Sequence, residues 1–261
     1  MNYPIYTVDA FTDHVFGGNP AAVCPLQTWL PDSAMQRLAN ENNLSETAFF
    51  VKRPDGSYDI RWFTPELEID LAGHPTLATA FIIFHHLGHE SDQILFHTVK
   101  SGDLTVIKKG DLLEMNFPAR MPVNCTPPEE LLKGFSIAPA KILRSRDYFL
   151  VYRSQQEVVQ VVPDFQYLNK VETLGVIITA QGDDTDFVSR FFVPNSVIGE
   201  DPVTGSAHAT LIPYWAKELG KPALTAAQLS KRKGHLWCTS LNDRVTIAGK
   251  AVLYMQGTYY L

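Results

Sequence analysis

Two stretches of this chain decide its architecture: residues 70–80, DLAGHPTLATA, and residues 201–211, DPVTGSAHATL. Each holds an aspartate, a glycine followed by a polar residue (Gly73-His74 and Gly205-Ser206), and the start of an apolar helical run that ends at a Leu-Gly pair, Leu87-Gly88 and Leu219-Gly220. Glycine closes such a run because it enters the left-handed region without a Cβ clash. The matched pattern predicts two copies of one fold. A length of 261 residues agrees, since domains run to about 100–200 residues each.

Between the two stretches lies FPARMPVNCTPPE, residues 117–129, with prolines at 118, 122, 127 and 128. Proline lacks a backbone donor and disfavours the helical region for the residue before it. The expected organisation is therefore an N-terminal half over 1–117, a linker over 118–128 and a C-terminal half over 129–261, the last strand of which could pair with the N-terminal half.

Hydrophobic patterning makes both halves α+β. In the first, Ile5–Ala10, Thr47–Val51 and the alternating Tyr58, Ile60, Trp62 read as strands, and Pro31–Asn42 as a helix capped by Asp32 or Ser33. His74 or Pro75 opens a helix running to about Leu87, and residues 104–107 and 112–117 form a hairpin around Lys109-Gly110-Asp111. In the second half, 148–152, 158–162, 175–179 and 187–194 read as strands. Ala207–Leu219 reads as a helix, and residues 245–248 and 251–255 as a hairpin about Gly249-Lys250.

Composition narrows the function. Twenty-two Lys and Arg against 28 Asp and Glu leave a net charge of −6, which disfavours a phosphate-backbone partner. The longest apolar run, near Leu77–Phe84, is short of the ~20 residues a bilayer crossing needs, and residues 1–11 lack the basic and apolar regions of a signal peptide, so a cytoplasmic protein is expected. Cys24, Cys125 and Cys238 fit neither a disulfide framework nor a zinc site. The chain lacks GxSxG, GxxxxGK[ST] and HExxH, and no GxGxxG follows a strand. His85, His86 and His89 have helical ligand spacing, but sit where cations simply favour a helix C-terminus, so no metal is assigned.

A glycine and a polar residue opening an apolar helix leave free N–H groups at the positive end of the helix dipole, where carboxylates bind. Two such ends facing one cleft would hold a small carboxylic acid between Gly73-His74 and Gly205-Ser206. Glu46, in NNLSETAFF beside Phe49 and Phe50, is a candidate base whose pKa apolar neighbours would raise. His74 and His208 add titratable groups at the two helix openings.

These residues also carry a resemblance. VDAF at 8–11, GNPAAV at 18–23, NLSET at 43–47, RWFTP at 61–65, EIDLAGHP at 68–75, RFFVP at 190–194, EDPVTGSAH at 200–208 and QLSKRKG at 228–234 together resemble the PhzF family of phenazine-biosynthesis-like isomerases, over nearly the whole chain. The resemblance implies the diaminopimelate epimerase-like fold: two pseudo-symmetric domains, each a curved, mostly antiparallel sheet wrapped around a central helix, with the active site between them. It implies a cofactor-independent isomerase, like trans-2,3-dihydro-3-hydroxyanthranilate isomerase, in which a glutamate moves a proton between carbons, and it implies a homodimer.

Carried over by motif, Glu46 is the general acid/base, with His74 and Asp201 assisting. Gly73, Gly205 and Ser206 hold the substrate carboxylate, and Asn19 and His208 line the site. Diaminopimelate epimerases use a cysteine at each pseudo-equivalent turn, where this chain has Ala72 and Pro202, so two-thiol chemistry is excluded. The phenazine enzymes lack a histidine two residues past the serine, so His208 places the chain in a broader branch and weakens any transfer of their substrate to it. A second reading keeps the same fold without turnover, as a metabolite-binding or protein-interaction module.

Overall fold

The computed structural model describes residues 2–261. Its two units are the chain up to Asn116 with Ala248–Leu261, and Phe117–Ile247. The first holds β1 (Asn2–Ala10), β2 (Asn19–Leu26), α1 (Asp32–Asn42), β3 (Glu46–Lys52), β4 (Tyr58–Phe63), β5 (Glu68–Ile69), α2 (Gly73–His86), β6 (Gln93–His97), β7 (Asp103–Lys109) and most of β8 (Leu112–Pro118). Strand β1 pairs antiparallel with β2, β2 runs parallel to β3, and β3–β4 and β6–β7–β8 are antiparallel ladders. The parallel β2–β3 pair needs a crossover, which α1 supplies.

Helix α2 is the centre of this unit. Eleven of its 14 residues are buried, among them Leu77, Ile82 and Ile83 at 0% exposure. Each such side chain contributes about 1.5–3 kcal/mol relative to exposure. Its two buried threonines turn their hydroxyls back to the helix, Thr76 Oγ1 donating to the Ala72 carbonyl and Thr79 Oγ1 to that of Pro75. No buried hydroxyl is thereby left unpaired in this apolar helix. Pro75 is tolerated because the first turn has no intrahelical use for its N–H.

The second unit holds β9 (Val123–Asn124), α3 (Glu129–Lys133), β10 (Lys141–Arg144), β11 (Tyr148–Val151), α4 (Gln155–Gln160), α5 (Phe165–Leu168), β12 (Val176–Gln181), β13 (Phe187–Val193), β14 (Gly199–Asp201), α6 (Gly205–Leu219), β15 (Ala223–Gln228) and β16 (Gly234–Leu241), and β17 (Arg244–Gly249) ends at its boundary. Strands β9–β10–β11 and β12–β13–β14 are antiparallel, while β11–β12 and β13–β15 are parallel. Helix α6 buries most of its length, and Gly220 closes it in the left-handed conformation, φ 66°.

Three expectations need correction. The proline segment is not a free linker: Val123 and Asn124 pair with β10, Ala119 N–H donates to the Asp243 carbonyl, and Arg120 N–H donates to that of Ala209. The last of these has a local cause. Pro213 inside α6 cannot donate to Ala209, four residues back, and Arg120 takes the vacated acceptor at 2.8 Å. Second, the C-terminal half does not run to 261. The final strand, β18 (Ala251–Tyr260), pairs with β1 from Ala10↔Ala251 to Asn2↔Tyr260 and so belongs to the first unit. Third, residues 158–162 are mostly the end of α4 rather than a strand. Ser154 Oγ accepts the Glu157 N–H, and the Glu157 carboxylate reaches back to the Arg153 N–H, a variant of the capping box that starts a helix.

Strand register also corrects the repeat. Phe63 pairs with Glu68 and Trp62 with Ile69, while Phe192 pairs with Glu200 and Phe191 with Asp201. Glu68 therefore matches Glu200, and Asp201 matches Ile69 rather than Asp70. Both glutamates clamp the arginine two residues before the paired phenylalanine: Arg61 Nε and Nη2 donate to Glu68 at 2.7 Å each, and Arg190 Nε and Nη2 to Glu200 at 2.7 and 3.0 Å. Each guanidinium lies over that phenylalanine ring, Arg61 over Phe63 and Arg190 over Phe192. The residues opening the two helices are consequently Ala72 and Thr204, not Ala72 and Pro202.

Candidate active site

Asn19, Glu46 and His74 come from three segments and meet in the first unit. Asn19 starts β2 after the loop that leaves β1. Asp9 closes that loop by accepting the Phe16 N–H at 2.8 Å, and Gly18, φ +56°, turns the chain back against the Ala10 carbonyl. A Cβ at residue 18 would run into that carbonyl oxygen, a backbone atom that cannot move aside. Gly56 also has positive φ, +87°, but open space around it. Gly56→Ala is thus expected to cost about 1 kcal/mol of conformational strain, and Gly18→Ala more than about 3 kcal/mol, compared by urea unfolding. Equal losses at the two positions would show that the collision is relieved.

Glu46 opens β3, where Ala21 of β2 is its parallel partner. Asn43 ends α1 in the left-handed conformation, and Asn42 Nδ2 donates to Thr47 Oγ1 across the corner. The corner places the Glu46 side chain, 18% exposed, beside the start of α2. His74, the second residue of α2, is 4% exposed. Its Nδ1 lies 3.2 Å from Asn19 Nδ2, and its Nε2 lies 3.1 Å from Glu46 Oε2. The second contact is close in distance but not aligned as a hydrogen bond, as is common for catalytic pairs before substrate arrives.

Burial drives the His74 pKa down to about 3, with the Pro20 carbonyl acting weakly the other way. Desolvation outweighs the Pro20 contribution, so His74 is a neutral imidazole at pH 7. Gly73 stands beside it, and no side chain caps α2, so the first N–H groups of the helix remain open to an acceptor.

The second unit presents a corresponding helix end. Asp201 ends β14 and accepts a hydrogen bond from Thr204 Oγ1. Gln228, fully buried, holds this turn: its Nε2 donates to the Asp201 carbonyl at 2.8 Å and its Oε1 accepts the Thr204 N–H at 2.9 Å. Ser206, in the first turn of α6, accepts from Arg146 Nη2 at 3.1 Å. Arg146 is itself fixed by Asp147, which is 1% exposed and takes Nη2 at 2.7 Å. A serine hydroxyl has one donor and two acceptor positions. Arg146 occupies an acceptor position, which leaves the O–H free to donate to a ligand.

The structure thus brings Asn19, Gly73, His74 and Glu46 together, and separately Asp201, Gly205 and Ser206. It does not bring His208 to the helix end. His208 is fully buried one turn into α6, Nδ1–H donating to the Thr204 carbonyl at 2.9 Å and the ring 5.9 Å from that of Phe187. Burial lowers its pKa to about 4. Arg146 and Asp147 were not singled out in the sequence, because they lie some 60 residues before Ser206 in an unremarkable turn. Gln228 stood at the head of the QLSKRKG motif, the one available signal.

The remaining candidates have structural roles. His89 is bonded through both ring nitrogens, to Tyr58 Oη and the Gln93 carbonyl, and His85 and His86 pack against Phe81. Burial pushes the Cys24 and Cys238 thiols well above their ordinary range, which keeps them protonated and so unavailable as bases at neutral pH. No helix among the described residues is long and apolar enough to cross a membrane.

The architecture is an α+β, epimerase-like fold. A hydroxyproline epimerase from Agrobacterium vitis, solved with bound trans-4-hydroxy-L-proline, matches it with a TM-score of 0.63 over 98% of this chain and 92% of that one, at 8% identity. Within that class, residues 8–257 match the PhzC-PhzF family model, described as phenazine biosynthesis-like protein, and the chain belongs to that family. A Pseudomonas aeruginosa protein named as an uncharacterized isomerase is 51% identical over the full length of both chains. The crystal structure of an Enterococcus faecalis PhzF-family protein superposes with a TM-score of 0.96 at 47% identity, again over all of both chains.

Proposed function

We propose that this protein is an isomerase that moves a proton between carbons of a small carboxylic acid without a cofactor, with Glu46 as the general acid/base. The supporting observation is the Glu46–His74 pair: a largely buried carboxylate 3.1 Å from a neutral imidazole, at the uncapped start of a buried helix. Glu46 takes a proton from carbon, and the electron pair left behind delocalises into the adjacent unsaturated system of the substrate. Glu46 then returns a proton at a second carbon, so charge and atoms balance over the cycle.

In this reading the backbone N–H groups at Gly73 bind substrate carboxylate, and His74 orients the substrate or helps move the proton. Asp201, Gly205 and Ser206 form the second unit's own candidate carboxylate-binding helix end. General acid–base catalysis by one positioned group is worth ~10²–10⁴-fold, and preorganised donors at helix ends supply electrostatic stabilisation beyond that. The name of the Pseudomonas relative and the carboxylic acid bound to the Agrobacterium epimerase are consistent with the reading.

The test is a panel of small amino, hydroxy and unsaturated carboxylic acids, screened for binding by thermal shift and then incubated with the protein in D2O. At least one binder is expected to gain deuterium at carbon, detected by NMR. Binding without exchange across every hit would instead identify a metabolite-binding module.

A further inference from the structure

We propose that Asn19 is a positioning residue that fixes the tautomer of His74, so that the ring presents Nε2–H to Glu46 and the resting protein holds Glu46 in its base form. Asn19 is fully buried, and the Gly18 turn and the Asp9–Phe16 hydrogen bond locate it at the head of β2. Its Nδ2 lies 3.2 Å from His74 Nδ1. An amide nitrogen only donates, whereas a neutral imidazole has one donor and one acceptor nitrogen. Donation into Nδ1 therefore leaves the ring proton on Nε2, the nitrogen 3.1 Å from Glu46 Oε2.

The Pro20 carbonyl also faces the ring. It is an acceptor, and a proton held for it on Nδ1 would be the opposite tautomer. That tautomer would set the Nε2 lone pair against Glu46 Oε2, an arrangement that suits only a protonated Glu46. With the Asn19 amide turned as it is, the contest goes to Nε2–H, which favours the ionised carboxylate. Catalysis then begins with removal of a proton from carbon rather than with donation of one. This consequence rests on the reading of Glu46 as the base; the tautomer itself does not.

The ring nitrogens of His74 report the answer directly. In protein labelled with 15N at histidine, long-range proton–nitrogen spectra at neutral pH separate pyrrole-like from pyridine-like nitrogens, and the His74 signals are those lost in His74→Gln. The wild type is expected to show pyridine-like Nδ1 and pyrrole-like Nε2. In Asn19→Asp, whose carboxylate accepts from Nδ1–H, the Nδ1 signal is expected to move to the pyrrole-like position. A pyrrole-like Nδ1 in the wild type overturns the proposal, and so does an unmoved Nδ1 in folded Asn19→Asp protein. Should that variant not fold, the wild-type spectrum alone decides. Deuterium exchange that survives Glu46→Gln would overturn the function proposed above and leave these nitrogen signals where they are.

Discussion

Glu46→Gln is expected to slow deuterium exchange into the substrate by about 10²–10⁴-fold while the fold persists. Glutamine keeps the length and shape of the side chain and removes its capacity to take a proton from carbon. Little structural cost accompanies the change, because the neighbouring His74 is neutral and no buried cation is left without its counter-charge. An amide oxygen can still face Nε2, so stability should change by less than about 1 kcal/mol. Glu66→Gln, an exposed turn position, is the matched control and should leave the exchange rate unaltered. A Glu46→Gln protein that exchanges within a few-fold of wild type would remove Glu46 from the chemistry and move attention to Asp201.

The doubled architecture was readable in the sequence because its markers are backbone markers: a glycine that opens each helix, and Gly88 and Gly220 that follow the last turns. The alignment of the two copies was off by one because Asp70 stands three residues before Gly73 while Asp201 stands four before Gly205, so the two aspartates are not equivalent positions. The Arg–Glu loops upstream also differ, Arg61 reaching Glu68 in seven residues and Arg190 reaching Glu200 in ten, through a loop holding Asn195 and Gly199 at positive φ. Only strand pairing shows that Asp201 has no carboxylate counterpart in the first unit, which is what makes the two helix ends chemically unequal.

The prolines of 118–128 did exclude helix and central strand, but a short edge pairing survives at Val123–Asn124. Anchoring came from an acceptor that Pro213 vacates about ninety residues later, a relation no local pattern carries. Val158–Val162 looked like a strand by β-branched content, and the Ser154–Glu157 cap, visible four residues upstream, overrode it. Asn19, Glu46 and His74 were each nameable from motifs. That they form one hydrogen-bonded and electrostatic unit was not, since a parallel β2–β3 pair and a helix start must all be in place first.

Acid should destabilise this protein well above the carboxylate range, and His208 provides a case with no charged group hydrogen-bonded to it. Its Nδ1–H is satisfied by the Thr204 carbonyl, while Nε2 is buried with no hydrogen-bond partner among the described residues. Protonating Nε2 would place a charge and an unpaired donor in the interior beside Phe187, which is why burial holds the pKa near 4 against an ordinary value of 6.5. The sign follows from proton counts. Between pH 6.5 and 4 the unfolded chain binds a proton here and the folded chain does not, so stability rises with pH across this window and is lost as pH falls through it. The loss is about 1.4 kcal/mol per pH unit inside the window, on the order of 3 kcal/mol by its lower edge. Urea unfolding at intervals from pH 7 to 4.5 measures it. In His208→Gln, whose amide can still donate to Thr204, the stability–pH slope should fall by one proton, about 1.4 kcal/mol per unit. Equal slopes in wild type and variant would mean that the folded protein takes up the proton at His208, and that Nε2 finds a partner on protonation that it lacks when neutral.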